Sequence, residues 1–521
     1  MKNVTLIPVV AALLMFSIQS FAFSYHASSH GNPKESFKNI KVNSSSNFAS
    51  SKTFKHVLTS IPNAVNVGTG QTYTSLTGPG GLFAALNAGS ISANTIATIT
   101  SNLTEPGTNT LNLITEVGTN AGTLTLTIQS DGISRVISGT AVASSAPMIS
   151  ITGAKRVTID GGSGKLLTFR NTNSTASNTG PVFQFNSTSQ NDILTNCYIE
   201  SNSTSSANGV ITIGTNGIND VTISSCDIRD ARGGTSGYPK IGIYSNSVNN
   251  TLTITNNNIY NLTNAHSYAM FLNSVANGCI ISGNSIYIEN GVSALGDFTG
   301  IYIISTYSHT ISGNYIGGTA PCCGGINPFT LSGNGTFTGI LNNNTAPGGT
   351  IIQGNTIQNI SMTNTGAPVF IGINNTCEPV TISGNVIGSP TTSNSITIDG
   401  IGISSGIIQS TITTSSACLF ESNTIANITL SVTSNSPTFY GMKMKGGTVR
   451  KNKIFNIGSS VAATTPTIIG IYAESGLTTN EYSNNVISLN GGVSGKPALR
   501  GFWDTSVNTN TTGFYLSLIH I

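Results

Sequence analysis

The chain has 521 residues with only 18 acidic and 21 basic side chains, so 7% of it is charged, whereas about 25% is usual in soluble domains. With a formal net charge of +3, this composition excludes the basic face of a nucleic-acid-binding protein and an acidic tail. Solubility must therefore come from the hydroxyls and amides of Ser, Thr and Asn.

The N-terminus has the pattern of a secretory signal peptide. Lys2 supplies a positive end, Leu6–Phe16 is apolar, and Ser20 and Ala22 place small residues around a cleavage position. We assign residues 1–22 to this peptide, with cleavage near Ala22, and expect the protein to be secreted or on the outer cell surface. No later stretch reaches the roughly 18 apolar residues of a membrane-spanning helix, so no transmembrane segment is predicted.

Two further segments precede the repeats. Residues 23–60 are rich in Ser, Asn and Lys without apolar periodicity, which predicts a flexible leader. Residues 61–147 are assigned to an N-terminal cap and the first strands. Within them, LFAAL in Gly80–Gly89 is the only convincing helical fragment. We expect it to cover the edge of the first coil.

Residues 148–515 repeat a short phrase: an apolar residue, two small polar residues, Asn, any residue and Ile. It reads ISGNSI at Ile281–Ile286, ISGNYI at Ile311–Ile316 and ISGNVI at Ile382–Ile387. The phrase places its Asn at Asn257, Asn284, Asn314, Asn355, Asn385, Asn423, Asn452 and Asn485. These positions are 27 to 41 residues apart. Self-similarity at such a period is typical of a repeat architecture.

A second phrase, Gly-apolar-any-apolar, recurs out of phase with the first. It reads GIYI at Gly300–Ile303, GIGI at Gly400–Ile403, GMKM at Gly441–Met444 and GIYA at Gly470–Ala473. Both phrases alternate with the strand period of two and are separated by turn-forming clusters. Two or three short strands per coil predict an all-β, right-handed parallel β-helix. A propeller is disfavoured, because it needs about 40 residues and four strands per blade, which is longer than most of the intervals between the repeated Asn residues.

The repeated Asn has a structural explanation in such a fold. Coils stack about 4.8 Å apart, so a buried amide at each level can donate to one neighbour and accept from the other, as in stacked β-structure. Asn also tolerates the left-handed turn between strands. A weaker form of the phrase places Asn196 and Cys226 in the same row. We therefore interpret these residues as a structural ladder rather than a ligand site.

Catalytic chemistry on a polysaccharide requires converging carboxylates. A calcium-dependent lyase needs several oxygen ligands and a base, and a hydrolase needs two carboxyl groups about 5–10 Å apart. No two consecutive clear coils share an acidic position. The best candidate is CDIRDAR, where Asp227 and Arg229 share a face and Asp230 and Arg232 lie just beyond. That arrangement suits a lyase, and it equally suits a salt-bridged turn.

Other motifs predict no further site. GISSG at Gly402–Gly406 matches a nucleophile elbow in letters, but it lacks the strand-to-helix turn. His266 and His309 lie near strand starts without an acidic partner in phase. The vicinal pair Cys322–Cys323 has no nearby His and no zinc-type spacing. We therefore predict no metal and no cofactor.

Exposed aromatic residues give no obvious binding row. Tyr238, Tyr302 and Tyr307 do not recur at a common position in the two phrases. We accordingly expect no aromatic ladder on the outside of the solenoid.

The C-terminus ends within a coil. Its last six residues, Leu516–Ile521, match one reading frame of a transposase adapter used in sequencing libraries. We interpret residues 516–521 as a sequencing artefact and the chain as a fragment.

Together these residues resemble the large secreted β-helix proteins of Bacteroidetes, which are described as adhesin-like surface proteins. The likeness rests on the signal peptide, on VNVGTGQTYTSLT at Val65–Thr77, on LFAALN and on the ISGN-x-I coils, over about residues 60–503. It implies a non-catalytic surface protein whose partners are polysaccharide or another cell surface. A polysaccharide lyase or other carbohydrate-active enzyme using Asp227 and Arg229 is the alternative.

Overall fold

A computed structural model describes residues 58–139, 146–172, 180–214, 220–231, 238–246, 251–275, 278–294, 296–344, 349–363, 366–410, 418–431, 436–460, 465–474, 480–490, 497–505, 512–515 and 517–521. The chain divides into two units, and all described residues belong to the second, Val57–Ile521. The predicted signal peptide, nearly all of the predicted leader, and Arg232 lie outside the described residues.

Sheet A is a stack of 15 parallel strands. Its strands are Ala64–Val67, Thr95–Ile99, Leu126–Ser130, Val157–Asp160, Asp192–Thr195, Asp220–Ser224, Thr251–Thr255, Ile280–Ser282, Thr310–Ser312, Thr350–Gln353, Val380–Ser383, Leu419–Glu421, Gly447–Arg450, Asn480–Ser483 and Thr512–Tyr515. Each strand pairs with its equivalent in the next coil. For example, Ile281 lies opposite Ile311, and Ile311 lies opposite Ile352.

Sheet B contains the strands that follow the turn after sheet A. They are Leu103–Thr104, Arg135–Gly139, Leu167–Asn171, Cys197–Ser201, Asp227–Asp230, Asn258–Tyr260, Ser285–Tyr287, Tyr315–Ile316, Phe329–Leu331, Thr356–Ile357, Ile360–Met362, Val386–Ile387, Ile396–Ile398, Thr424–Leu430, Lys453–Ser459, Val486–Ser488 and Leu518–His520. In its middle part the sheet has two tracks. They rejoin at Thr424–Leu430, which pairs with both Val386–Ile387 and Ile396–Ile398.

Sheet C has 12 parallel strands. They are Ile149–Thr152, Phe183–Asn186, Ile211–Ile213, Ile241–Asn246, His266–Val275, Asp297–Ser305, Thr336–Asn344, Val369–Asn375, Ile403–Gln409, Thr438–Met444, Thr467–Ala473 and Ala498–Asp504. Because the chain visits sheets A, B and C in turn and always pairs in parallel with the neighbouring coil, the fold is a parallel β-helix. The predicted fold class is confirmed.

The N-terminal end carries the predicted helix, Leu82–Ala88, whose Leu82, Phe83 and Leu86 are buried. A small parallel sheet of Thr59–Ser60, Gly89–Ile91 and Thr115–Glu116 adjoins it. Sheets A and B already contain three and two strands before residue 148, so parallel coils extend into the segment assigned to the cap and first strands. The described helix is too short to cross a bilayer.

The interior is filled by the inward positions of all three sheets, which alternate with outward ones as strand geometry requires. Ile, Val and Leu dominate these buried positions. Phe298, Phe337 and Phe370 stack on one another with ring centroids 5.6 and 5.7 Å apart. Burying each such side chain stabilises the fold by about 1.5–3 kcal/mol, so the continuous core accounts for a scaffold with few ion pairs.

In ten coils, from Asn196 onward, the turn from sheet A to sheet B contains a left-handed residue. It lies one residue before the repeated Asn, not at the Asn itself as the sequence suggested. The φ angles there run from 53° to 66°, at Asn196, Ser225, Asn256, Gly283, Gly313, Gly354, Gly384, Ser422, Lys451 and Asn484. Gly and Asn are favoured there because they adopt this conformation at least cost.

A row of glycines lies in sheet C, at Gly300, Gly339, Gly372, Gly406, Gly441, Gly470 and Gly501. A Cβ on any of the first six would approach the carbonyl oxygen of the next glycine to 2.5–2.6 Å. This close approach explains the second phrase of the sequence. One alignment was wrong: the fourth member is Gly406, since Ile407 pairs with Ile373 and Met442. GIGI at Gly400–Ile403 precedes it.

One inward row of sheet A contains an ionisable side chain. His309 is 2% exposed, and neither ring nitrogen has a hydrogen-bond partner among the described residues. The backbone hydrogen bonds from Thr310 to Cys279 and from Ile351 to His309 place it between Cys279 and Thr350, which are both uncharged in the folded protein. Burial lowers the pKa of His309 to about 4, so the imidazole is neutral inside the solenoid.

This burial predicts acid sensitivity. An unfolded histidine has a pKa of about 6.5, so the unfolded chain binds the proton first as the pH falls. Stability is then lost between about pH 6.5 and pH 4, by about 3 kcal/mol. We expect His309→Leu to remove most of that loss in urea unfolding followed across this range. An equal slope for both proteins would contradict the assignment.

Candidate functional site

The repeated Asn side chains stack inside the solenoid at the start of sheet B. Each is at most 1% exposed. From Asn257 to Asn452, the backbone N–H and the Nδ2 of each residue both donate to Oδ1 of the next at 2.9–3.1 Å. Nδ2 also donates to a carbonyl oxygen of the preceding coil at 2.8–2.9 Å. This inner amide ladder uses both Nδ2 hydrogens and both Oδ1 lone pairs at its internal positions.

Two cysteines extend the row toward the N-terminus. Cys226 donates its backbone N–H to Asn257 Oδ1 at 2.9 Å, and Cys197 registers with Cys226. Asn196, which the sequence had placed in the row, occupies the left-handed position instead and donates to Asp160 at 2.9 Å. Burial raises the pKa of the Cys226 thiol to about 12, so this thiol stays protonated and packs as an apolar group.

The candidate residues Asp227, Arg229 and Asp230 lie on strand Asp227–Asp230 of sheet B. Asp227 and Arg229 are half-buried and face outward on either side of the buried Ile228, and the half-buried Asp230 ends the strand. The alternation therefore does place Asp227 and Arg229 on one face.

Neighbouring coils supply partners for both carboxylates. Asp227 Oδ1 accepts hydrogen bonds from Lys165 Nζ at 2.6 Å and from Asn258 Nδ2 at 2.8 Å. Asp230 accepts one from Asn261 Nδ2 at 2.8 Å. Lys165 is 62 residues before Asp227, and no spacing in the sequence indicated this pair.

Arg229 forms the centre of a larger ionic cluster. Its Nε and Nη2 donate to Glu200 Oε1 at 3.0 and 2.6 Å, and its Nη1 donates to Tyr260 Oη at 2.6 Å. The guanidinium carbon is 4.8 Å from the Tyr198 ring centroid. The second oxygen of Glu200 accepts from Arg170. Burial lowers the pKa of Arg229, but the bonds to Glu200 and Tyr260 outweigh it, and the pKa lies above its ordinary value.

This arrangement has little capacity for acid–base catalysis. A general base must reach a substrate proton, whereas Glu200 is fully covered and held by two guanidinium groups. Asp227 is paired with Lys165. Among the described residues, no group of three or more His, Cys, Asp or Glu could hold a metal ion.

Two other sequence motifs have a structural context that differs from what their sequences suggest. Ser404 and Ser405 lie within strand Ile403–Gln409, so no strand-to-helix turn forms at GISSG. His266 does have an acidic partner: its Nδ1 is 2.7 Å from Asp297 Oδ2 of the next coil. The expectation that His266 lacks one was therefore wrong.

An aromatic row, which the sequence analysis missed, lies on the outer face of sheet C. Tyr244, Phe271, Tyr302, Leu341, Asn374, Ile408, Lys443, Tyr472 and Trp503 occupy one register position in consecutive coils. Ring centroids are 5.0 Å apart for Phe271 and Tyr302, and 5.2 Å apart for Tyr472 and Trp503. Tyr302 thus belongs to an outer aromatic ladder, contrary to the expectation.

The row has aromatic and cationic neighbours. Tyr268 stacks on Phe271 at 5.1 Å, and Tyr440 stacks on Tyr472 at 5.0 Å. The Arg500 guanidinium carbon lies 3.7 Å from the Trp503 ring centroid. Since ring faces contact neighbouring rings, ring edges and tyrosine hydroxyls are the parts available to a ligand. The sequence signal was the third residue of the glycine phrase, which faces outward.

No protein-family model and no curated protein matches this sequence. Among solved structures, the chain is similar to the Dettilon tailspike protein, with 13% identity, a TM-score of 0.36, and coverage of 85% of this chain and 68% of that one. The A-module of an Azotobacter vinelandii mannuronan C-5 epimerase is 11% identical, with a TM-score of 0.36, and the match covers 88% of this chain and 99% of that one. A mutant tailspike of Escherichia coli bacteriophage HK620, in complex with a pentasaccharide, is 13% identical, with a TM-score of 0.31, and the match covers 87% of this chain and 72% of that one. Likeness at this level carries no functional argument.

The ionic cluster makes a stability prediction. Glu200→Ala leaves Arg170 and Arg229 without their shared carboxylate, and breaking a buried ion pair in this way costs about 3 kcal/mol. We expect that loss in urea unfolding. Asp131→Ala is the matched control. It removes the partner of Arg135 in an ion pair outside this cluster, so it should change stability little. Equal effects of the two substitutions would mean that the cluster does not support the fold.

Proposed function

We propose that this protein is a secreted or surface-exposed, non-catalytic, adhesin-like β-helix that binds polysaccharide along the aromatic row of sheet C. The observation that carries the proposal is the row itself. Phe271, Tyr302, Tyr472 and Trp503 remain half-buried on an outer face, although a protein with few charges gains nothing in solubility from exposing them. Tyr and Trp are typical of binding surfaces because each combines an apolar body with a polar group.

The row suits a linear, repeating ligand. Its aromatic members form two groups on consecutive coils, Tyr244 to Tyr302 and Tyr472 with Trp503. Within each group they recur about 4.8 Å apart along the solenoid axis, so a chain lying along the axis meets similar groups in succession. Sugar oxygens can meet the electropositive aromatic edges, and sugar hydroxyls can hydrogen-bond to the hydroxyls of Tyr302 and Tyr472. Two cationic side chains add hydrogen-bond donors beside Tyr472 and Trp503. They are Arg500 and Lys443, whose Nζ is 3.5 Å from Glu474 Oε1.

The non-catalytic part of the proposal is supported by the ionic cluster of sheet B, where Asp227 and Glu200 are engaged by cations. The extracellular part is supported by the apolar stretch and cleavage pattern of residues 1–22. The adhesin-like and Bacteroidetes assignments rest on the sequence resemblance.

The proposal is tested by affinity electrophoresis through gels containing alginate, polygalacturonate, xylan or glucomannan. We expect retardation by at least one polymer, and a roughly tenfold weaker affinity for a Tyr302→Ala, Tyr472→Ala, Trp503→Ala triple variant, which corresponds to about 1.4 kcal/mol. Tyr307→Ala is the matched control, because Tyr307 is 41% exposed but lies outside the row.

Two results would overturn parts of the proposal. Unchanged retardation of the triple variant would exclude the aromatic row as the binding face. Release of unsaturated uronate products by the wild type, abolished by Asp227→Ala with Arg229→Ala, would replace the non-catalytic function with a lyase.

A further inference from the structure

A groove of about 240 Å³ opens on sheet B, whereas the aromatic row lies on sheet C. It is lined by nine Ser, Thr, Asn and Gly residues, among them Asn394, Asn427, Thr429, Asn456 and Asn490. None of the nine is ionisable, and none carries a large apolar side chain. Small-molecule sites are usually lined mainly by apolar groups, so this lining favours a strongly hydrated, uncharged ligand.

Three amides on consecutive coils form the floor of the groove. Asn427 Nδ2 donates to the Ser389 carbonyl oxygen at 2.7 Å, and Asn456 Nδ2 donates to Asn427 Oδ1. Asn490 Nδ2 donates to Asn456 Oδ1 at 2.6 Å. We call Asn427, Asn456 and Asn490 the groove amides.

The backbone holds two of these amides in fixed positions. Asn427 and Asn456 have φ angles of 55° and 56°, the left-handed region that Asn tolerates better than most residues. Both lie inside strands, Thr424–Leu430 and Lys453–Ser459. The left-handed residue bends each strand, so the groove lies at a corner of the coil.

The groove amides differ from the inner amide ladder in their unused capacity. An Asn side chain has two N–H donors and two acceptor positions. Each groove amide uses one N–H in the row, and the other has no partner among the described residues. Asn456 and Asn490 are exposed and Asn427 is buried beneath them, whereas the whole inner ladder is buried and uses both Nδ2 hydrogens. A purely structural row has no need of open donors.

One wall of the groove adds oriented polar groups. Thr429 Oγ1 donates to Asn394 Oδ1 at 2.6 Å, which fixes the Asn394 amide and leaves its Nδ2 toward a ligand. Open donors therefore recur along the axis at the coil spacing, about 4.8 Å. A ligand with hydroxyls repeated along a chain matches that spacing better than a compact metabolite does.

We propose that this groove binds a neutral saccharide chain, lying along the solenoid axis, through the open N–H groups of the exposed Asn394, Asn456 and Asn490. A charged uronate is disfavoured, since its desolvated carboxylate finds no cation among the lining residues. The site is independent of the aromatic row, and it stands whether or not that row binds polysaccharide.

The test uses isothermal titration calorimetry of the whole protein with cellohexaose, mannohexaose, xylohexaose and hexagalacturonate. We expect at least one neutral hexasaccharide to bind, and hexagalacturonate to bind more weakly. Asn456→Leu removes a central amide and should weaken binding about tenfold. Asn290→Leu is the matched control, since Asn290 is an exposed amide that also accepts one Asn hydrogen bond, at 2.7 Å from Asn327.

Thr429→Val keeps the shape of the groove and removes one hydroxyl, so it tests the proposal if Asn456→Leu fails to fold. We expect a three- to tenfold loss of affinity, the effect of about one hydrogen bond. The proposal is overturned if no neutral hexasaccharide binds, if hexagalacturonate binds equally well, or if the folded groove variants bind like wild type.

Discussion

The vertical stacking of one buried amide per coil is the interaction on which the rest of the structure depends. Each Asn of the inner ladder is tied to the next by two hydrogen bonds and to the preceding coil by a third. Strand side chains alternate with a period of two, so a slip of one residue would exchange inward and outward groups. An amide that must meet its equivalent in the next coil prevents that slip.

Fixed register is what turns single outward residues into extended surfaces. Tyr302 and Trp503 belong to one row only because every intervening coil keeps its alignment, although the coils differ in length. The groove amides depend on the same alignment in sheet B. Inward positions thus carry the fold, and the stacked amides among them have their hydrogen bonds satisfied inside, while outward positions are free to carry binding chemistry. The ionic cluster around Glu200 is the exception, because it uses outward positions for internal pairing.

The parts of the structure that repeat locally could be predicted from the sequence. The β-helix followed from the Asn phrase and the period of two, and the helix Leu82–Ala88 from its composition. Errors arose where alignment between coils was needed. Asn196 was placed one residue out of register, and Gly400 was taken for Gly406, because loops of different lengths shift the phrases.

The outer surfaces could not be predicted, since they depend on contacts between coils. Lys165 and Asp227 are two coils apart, and His266 meets Asp297 of the following coil. No local pattern records such pairs. The aromatic row was present in the glycine phrase at its variable third position, but hydrophobic periodicity directs attention to the invariant apolar positions on either side. The groove amides likewise resemble turn residues in the sequence alone.

The most direct test of the ladder's role is hydrogen–deuterium exchange of the Asn355→Leu variant. The substitution removes the acceptor of the Asn314 backbone N–H and of one Asn314 Nδ2 hydrogen, at about 1–3 kcal/mol for each buried group left unpaired. Asn385 Oδ1 loses the Nδ2 donor and keeps the backbone N–H of residue 355. The account predicts faster exchange, compared with wild type, at Ile311–Ile316 and Ile382–Ile387, while Asn374→Leu, an outward change in the same coil, leaves exchange there unchanged. Equal protection in wild type and Asn355→Leu would contradict the claim that stacked amides hold the coils in register.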